Sequence, residues 1–121
     1  MKIQSNPAPS VIQRERHILA IPRCCPVSKN PLPGSTLTIS YIPDAVVLEV
    51  AALKGYIHRY IGGLRDEQGE IVVRTMEGLV AQVARDCANV LGVRVMVYAH
   101  LHIAPSQQMH VRTIAFPEEK L

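Results

Sequence analysis

The chain has 121 residues and a net charge of +3, and 48% of its residues are hydrophobic and 19% charged. This length fits one domain over residues 1–121, which would gain buried surface by forming a homo-oligomer. No apolar run approaches the roughly 20 residues that cross a membrane, and no secretory signal is visible. Composition therefore predicts a soluble, cytoplasmic protein without a membrane partner. The scattered positive charge, with four Tyr and one Phe, gives no specific signal for nucleic-acid binding.

The first third of the chain predicts two strands. Residues 1–10 are polar and contain two prolines, which indicates a loose N-terminal arm. Residues 11–21 have apolar ends and are a candidate for a first strand. Residues 36–42 alternate strictly between apolar and hydroxyl side chains, which is typical of a half-buried strand.

Two helices are predicted in the middle of the chain. The first has apolar residues at helical spacing before the Gly62–Gly63 pair, namely Val50, Leu53, Ile57 and Ile61. A polar segment centred on Gly69 then fits an exposed loop or a small hairpin. The second helix covers residues 75–91, with Thr75 as its N-cap and Gly92 after its end.

The C-terminal part predicts a second strand pair. Residues 93–103 alternate, and residues 109–116 can pair back antiparallel before a short tail at 117–121. The order ββααββ predicts an α+β fold, with a four-stranded antiparallel sheet and two helices on one face. The other face then needs a partner, which favours a homo-oligomer.

The three cysteines cannot all pair internally, so free thiols are expected. Cys25 is a candidate nucleophile because it lies in a proline-fixed loop with Arg23 and Lys29 as nearby cations. The alternative is a small buried apolar residue, which is the commoner role of a cysteine. Cys24 and Cys87 fit that alternative.

Three further residues are candidates for ligand binding. His100 and His102 project from the same strand face and could hold zinc together with a cysteine, or they could be ordinary polar-face residues. Glu77 lies beside the apolar stripe of its helix, where a carboxylate could accept N–H bonds from a purine-like ring. A solvated helix carboxylate is the alternative.

Three stretches of the sequence, "CPVSK", "TISYIPD" and "EVAALKGY", resemble the QueF family of 7-cyano-7-deazaguanine reductases. The resemblance covers roughly residues 23–103. It implies the tunnelling fold shared with GTP cyclohydrolase I. In that fold, ββααββ subunits close into oligomeric barrels and the sites lie at subunit interfaces.

The resemblance also implies roles for single residues. Cys25 matches the family thiol that adds to the substrate nitrile and gives a covalent thioimide. Glu77 matches the glutamate that anchors the deazaguanine ring, and Glu49 is expected to contact the substrate. Lys54 is expected to contact NADPH. The family's cofactor-associated motif is matched by Glu49, Leu53, Lys54 and Tyr56.

The sequence departs from the family at three places. Residues 50–52 read Val-Ala-Ala where the family usually has Ser-Lys-Ser. The family's proton-transferring aspartate should lie near Leu32, and the family histidine before the anchoring glutamate is here Met76. The candidates to supply the missing acid are His100, His102 and Asp44.

Several functions are compatible with these residues. The first is NADPH-dependent reduction of 7-cyano-7-deazaguanine to the aminomethyl product, a step of the queuosine pathway. The second is a QueF-like amidinotransferase, which makes an archaeosine-type amidine on tRNA or DNA. The other two are a metal enzyme like GTP cyclohydrolase I and a purine-binding module without catalysis.

Overall fold

The computed structural model describes residues 1–118, which form eight strands and two helices. In chain order these are β1 (Ile3–Ser5), β2 (Glu15–Ala20), β3 (Thr36–Tyr41), β4 (Val46–Leu48), α1 (Val50–His58), β5 (Leu64–Arg65), β6 (Ile71–Val73), α2 (Met76–Leu91), β7 (Val95–Ile103) and β8 (Gln107–Ala115). Of the predicted tail at 117–121, residues 119–121 lie outside the described part.

Four strands form the main sheet in the order β2-β3-β7-β8, and each neighbouring pair is antiparallel. Strands β3 and β7 are central, and their register places Thr36 opposite His100 and Tyr41 opposite Val95. The predicted α+β class is confirmed, with its two helices and four-stranded antiparallel sheet. The tunnelling fold and the oligomer stay predictions.

Side-chain alternation gives the sheet one face toward the helices. Leu37, Ile39 and Tyr41 of β3 are buried on that face, as are Val95 and Val97 of β7. These side chains form one core with the buried sides of α1 and α2. Removing this apolar surface from water is the main force that holds the layers together.

The intervening positions point to the opposite face, which no helix in residues 1–118 covers and which we call the open face. Its strand residues are Arg16, Ile18, Ala20, Thr36, Thr38, Ser40, Met96, Tyr98, His100, His102, Gln108, His110, Arg112 and Ile114.

Helix α2 has the ends that the sequence predicts. The hydroxyl of Thr75 accepts the N–H of Gly78 at 3.0 Å, which satisfies one unpaired donor of the first turn. Gly92 ends the helix with a φ of 70°, a conformation that side chains disfavour.

Helix α1 is shorter than predicted, because it ends at His58 rather than at the Gly62–Gly63 pair. The chain continues through tight turns, in which Tyr60 N–H donates to Ile57 O and Gly63 N–H donates to Tyr60 O. Because these i→i+3 bonds keep a helix-like spacing of apolar residues beyond His58, the sequence pattern predicts a helix that is too long.

The N-terminal arm was predicted to be loose, and this is wrong for part of it. Ile3–Ser5 forms β1, which pairs antiparallel with β4. The Asn6 side chain adds a 2.8 Å bond to the carbonyl of Asp44. The arm is ordered because β4 offers unpaired backbone groups that a neighbouring strand can satisfy.

The polar segment around Gly69 forms the small hairpin β5–β6 rather than a loop, and Gly69 has a φ of 81° in its turn. Neither helix in the described part of the chain has the length and apolarity to cross a membrane.

Candidate functional site

The cysteine pair lies in a loop between β2 and β3 that is closed by backbone hydrogen bonds. The carbonyl of Asn30 accepts the N–H groups of both Cys24 and Cys25 at 3.1 Å. The N–H of Lys29 donates to the carbonyl of Cys25, also at 3.1 Å, and Lys29 has a left-handed φ of 62°. These bonds fix the backbone on both sides of Cys25.

The loop is also tied to the far end of the sheet. Leu32 N–H donates to the carbonyl of His102 at 2.8 Å, and the buried hydroxyl of Ser35 accepts the N–H of His102 at 2.9 Å. The side-chain oxygen of Asn30 accepts the N–H of Ala104 at 3.2 Å. The thiol loop is therefore held against the turn between β7 and β8.

The two adjacent cysteines have opposite environments. Cys24 is 1% exposed, and its burial raises the pKa of its thiol to about 11, with smaller contributions from the charges of Cys25 and Glu77. Cys25 is partly exposed, and the pKa of its thiol is lowered. Because the thiolate is the nucleophile, we expect Cys25 to react faster than Cys24.

The lowered pKa of Cys25 has local causes. The hydroxyl of Ser28 is the largest, followed by the backbone N–H groups of Ser28 and Val27. The hydroxyl oxygen of Ser28 accepts the N–H of Asn30 at 3.3 Å. The hydroxyl proton of Ser28 is then free to be donated to the Cys25 sulfur. The positive charge of Arg74 adds a smaller lowering.

Glu77 influences the buried Cys24 electrostatically, and its shared site with Cys25 stays a prediction. It is exposed in the first turn of α2, and its charge contributes to the raised pKa of Cys24. The preceding Met76 is half-buried and packs against the core. The segment that starts α2 thus carries a cation, Arg74, that acts on Cys25 and a carboxylate, Glu77, that acts on Cys24.

Glu49 and Lys54 lie with other elements. Glu49 is the N-cap residue of α1, where its N–H donates to the carbonyl of Lys2. After the other end of the helix comes Gly62. Its N–H donates to the carbonyl of Arg23 in the thiol loop. The helix between Glu49 and Gly62 is about 14 Å long. Lys54 is exposed beside β2, in a groove shared with Ile18 and His58.

The other two matches to the cofactor-associated motif are buried in this chain. Leu53 is a core residue, and the hydroxyl of Tyr56 donates to the carboxylate of Asp86. The hydroxyl of Tyr60 lies 3.1 Å from the hydroxyl of Tyr56. Burial is the main cause of the raised pKa of Tyr60. Leu53 and Tyr56 therefore stabilise the packing of α1 on α2.

One of the three candidates for the missing acid lies at the thiol loop. The ring of His102 packs over Gly34, since a β-carbon there would lie 3.7 Å from its Cδ2 atom. His100 instead bonds Gln108 at 2.9 Å, and Asp44 lies beside the N-terminal arm. Leu32, near which the resemblance expects an aspartate, is exposed.

Three histidines of β7 and β8 lie close together on the open face. His100 lies 5.0 Å from His102 and 4.3 Å from His110, measured between ring centroids. Within residues 1–118, no group of three or more His, Cys, Asp and Glu side chains is arranged to hold a metal ion.

The sequence reasoning missed three residues of this site: Ser28, Asn30 and Arg74. Ser and Asn are typical turn residues, and their place within the four residues after the Cys-Pro pair was the available signal for the first two. Arg74 is distant in sequence and meets Cys25 only in the fold.

No protein-family model matches this chain, and no curated protein matches it significantly. The resemblance to the QueF family therefore stays a prediction that rests on the residues quoted above.

Proposed function

We propose that this chain processes the nitrile of 7-cyano-7-deazaguanine through a covalent thioimide on Cys25. The observation that carries the proposal is the contrast between two adjacent thiols. Cys25 is partly exposed with a lowered pKa, whereas Cys24 is buried with a raised one. A thiol aimed outward from a fixed loop suits addition to an electrophilic carbon.

The proposed addition requires only a thiol and a proton donor. The sulfur of Cys25 bonds to the nitrile carbon while one carbon–nitrogen π bond breaks, and the nitrogen takes that electron pair and a proton. The ring of His102, which packs over Gly34 of the same loop, is our candidate to carry the proton.

Ring recognition is assigned to Glu77. A guanine-like edge presents neighbouring N–H donors, and a carboxylate can accept two of them at once. Glu77 is exposed and lies near enough to the cysteines to influence Cys24 electrostatically, which supports this role.

The first candidate for the fate of the adduct is reduction to the aminomethyl product, for which NADPH would supply hydride. Lys54 gives its groove one cation beside His58. However, Glu49 brings a carboxylate to the N-cap of α1, where it would repel a phosphate, and residues 50–52 provide no polar side chain. The start of α1 therefore does not offer a phosphate-binding site for NADPH.

This poor fit supports the amidinotransferase as a second candidate. In that reaction ammonia attacks the thioimide carbon and the carbon–sulfur bond breaks. Cys25 departs as a thiolate, and the product is an amidine. No hydride is required. The Val-Ala-Ala sequence at residues 50–52 is the specific observation that favours it.

We further propose that the active unit is the homo-oligomer implied by the tunnelling fold. Glu49 and Lys54 of one chain lie with β1 and β2 rather than with the Cys25 loop. A neighbouring copy could bring its own Glu49 and Lys54 to that loop, which would complete a site at the interface.

Intact-protein mass spectrometry tests the proposal. Incubation with 7-cyano-7-deazaguanine should add the mass of one ligand to the wild type and to Cys24→Ala, and nothing to Cys25→Ala. Loss of the adduct on adding NADPH would favour the reductase, and loss on adding ammonia would favour the amidinotransferase. Ligand binding without any mass increase would instead indicate a purine-binding module.

A further inference from the structure

The open face of the sheet gathers charges that are scattered along the chain. Arg14, Arg16 and Arg94 line one groove on this face, together with the hydroxyl-bearing residues Thr38 and Ser40. Arg14 donates a 3.1 Å hydrogen bond to the hydroxyl of Ser40, which holds its guanidinium against the sheet. The groove therefore presents several hydrogen-bond donors and three positive charges.

A fourth cation lies on the opposite edge strand. The guanidinium of Arg112 lies 5.7 Å from the ring centre of Tyr98, a cation–π contact that keeps both groups on the open face. Arg112 on β8 and Arg16 on β2 are three strand spacings apart, or about 14 Å. The cations thus extend across the whole sheet.

The structure describes all strand residues of the open face, and none of them is negatively charged. Glu15, the only acidic residue in these four strands, is bonded to His17 and to Tyr41, which belongs to the helix-facing core. This charge balance favours an anionic ligand on the open face.

Aromatic rings lie between the cations. Tyr98 contacts His110 edge-on, with ring centroids 5.6 Å apart, and His110 adjoins His100 and then His102. Such rings on a sheet surface provide stacking platforms for nucleic-acid bases, while arginines bind the phosphates between them.

We infer that the open face binds single-stranded nucleic acid, with the four arginines on the phosphodiester backbone and Tyr98 stacking on a base. The alternation of rings and cations favours this ligand over an acidic protein, which needs the charges but not the rings. A second copy of the chain, placed face to face, would bring four arginines against four arginines. The inference does not depend on the proposed chemistry of Cys25.

Fluorescence anisotropy tests this with a labelled oligothymidylate of about twelve nucleotides, long enough to cross one such surface. If up to four phosphates are neutralised, the affinity should fall roughly 20-fold between about 50 and about 150 mM salt. The double variant R94Q/R112Q should bind more weakly and lose only about fivefold over the same salt range.

The matched control is R65Q/R85Q, which removes the same charge from two exposed arginines outside the main sheet. It should keep the wild-type affinity and salt dependence. Equal losses in both double variants would mean that only net charge matters, and the inference would be wrong. It would also be wrong if the wild type does not bind at low salt, or if it binds polyglutamate more tightly than the oligonucleotide.

A third variant separates stacking from charge. Tyr98→Leu keeps an apolar side chain but removes the ring, and it should weaken binding by roughly fivefold or more while leaving the salt dependence unchanged. Circular dichroism on all variants checks that the fold is retained. Unchanged binding of a folded Tyr98→Leu protein would remove the stacking role and, with it, the preference for nucleic acid over another polyanion.

Discussion

The backbone nitrogen of Ser28 lies 3.5 Å from the sulfur of Cys25 and donates its proton to it. The Ser28 hydroxyl lowers the pKa of the Cys25 thiol more than this backbone contact does. One residue therefore supplies both main contacts that favour the Cys25 thiolate, and it does so from within the same turn. Thiol reactivity should accordingly depend on this turn.

Cys25 should be the thiol that reacts first with iodoacetamide. Its lowered pKa leaves more thiolate at neutral pH than the raised pKa values of about 11 for Cys24 and about 12 for Cys87. Peptide mapping after brief labelling measures this, and Cys25→Ala should abolish rapid labelling while Cys24→Ala leaves it intact. Preferential modification of Cys24 would contradict the assignment.

Ser28→Ala should move the pH profile of Cys25 labelling upward. The substitution removes the hydroxyl that contributes most to the lowered pKa, so the labelling rate near neutral pH should fall roughly two- to tenfold, the effect of one hydrogen bond. The measurement is the iodoacetamide rate as a function of pH. Ser10→Ala, at an exposed position of the N-terminal arm, is the control and should match the wild type.

The buried thiols should make the fold less stable in alkali. Burial raises the pKa of Cys87 from 9.0 to about 12, so above pH 9 the unfolded chain loses this proton first. The stabilising contribution is complete below pH 9 and is lost as pH rises toward 12. At a pH of about 10.5 the loss should reach about 2 kcal/mol for this thiol.

Urea unfolding at a pH of about 8 and of about 10.5 measures this decline. Cys87→Ala lowers stability at both values by creating a cavity, but it should make the decline between them smaller by about 2 kcal/mol. Cys25→Ala is the control: its thiol has a lowered pKa, and its removal should not reduce the decline. An equal decline in wild type and Cys87→Ala would refute the prediction.

Glu77→Gln should weaken binding of 7-cyano-7-deazaguanine by roughly tenfold or more, because the ring loses a charged acceptor. Calorimetric titration in a Cys25→Ala background separates ring recognition from covalent capture. Glu67→Gln, in the exposed hairpin turn, removes the same charge and should leave the affinity unchanged. Equal affinities with and without Glu77→Gln would reject the anchoring role.

The chain should form a homo-oligomer through the edges of its sheet. Strands β2 and β8 each have one side without a strand partner in the described chain, and unpaired edges readily add another strand. Multi-angle light scattering should give a mass above that of one chain at micromolar concentration, with little dependence on salt. A folded monomer under these conditions would reject the interface site as well.

Local patterns were sufficient to predict much of the fold. Thr75 and Gly92 marked the ends of α2, and alternation over residues 36–42 marked β3. Strand β1 was missed because its three residues have no distinctive pattern, and their partners lie about 40 residues away. The cationic open face is hidden from the sequence for the same reason, since Arg16 and Arg112 come to lie on one face only when the sheet has formed.

For the candidate site, the sequence predicts a reactive thiol but not the contacts around it. The Cys-Pro pair singled out Cys25, and the edge of a helical stripe singled out Glu77. The bonds that orient the loop connect Asn30 to Ala104 and Ser35 to His102, across 74 and 67 residues. Such long-range pairs depend on strand register, which a single sequence does not specify.

The attachment of the thiol loop to β7 has a consequence for the order of folding. Ser35 and Asn30 find their partners only when His102 and Ala104 have been synthesised, 67 and 74 residues later. During translation Cys25 therefore leaves the ribosome long before its turn can be held in place. We expect the nascent chain to carry an ordinary thiol, and the activated one to arise when the last hairpin joins the sheet.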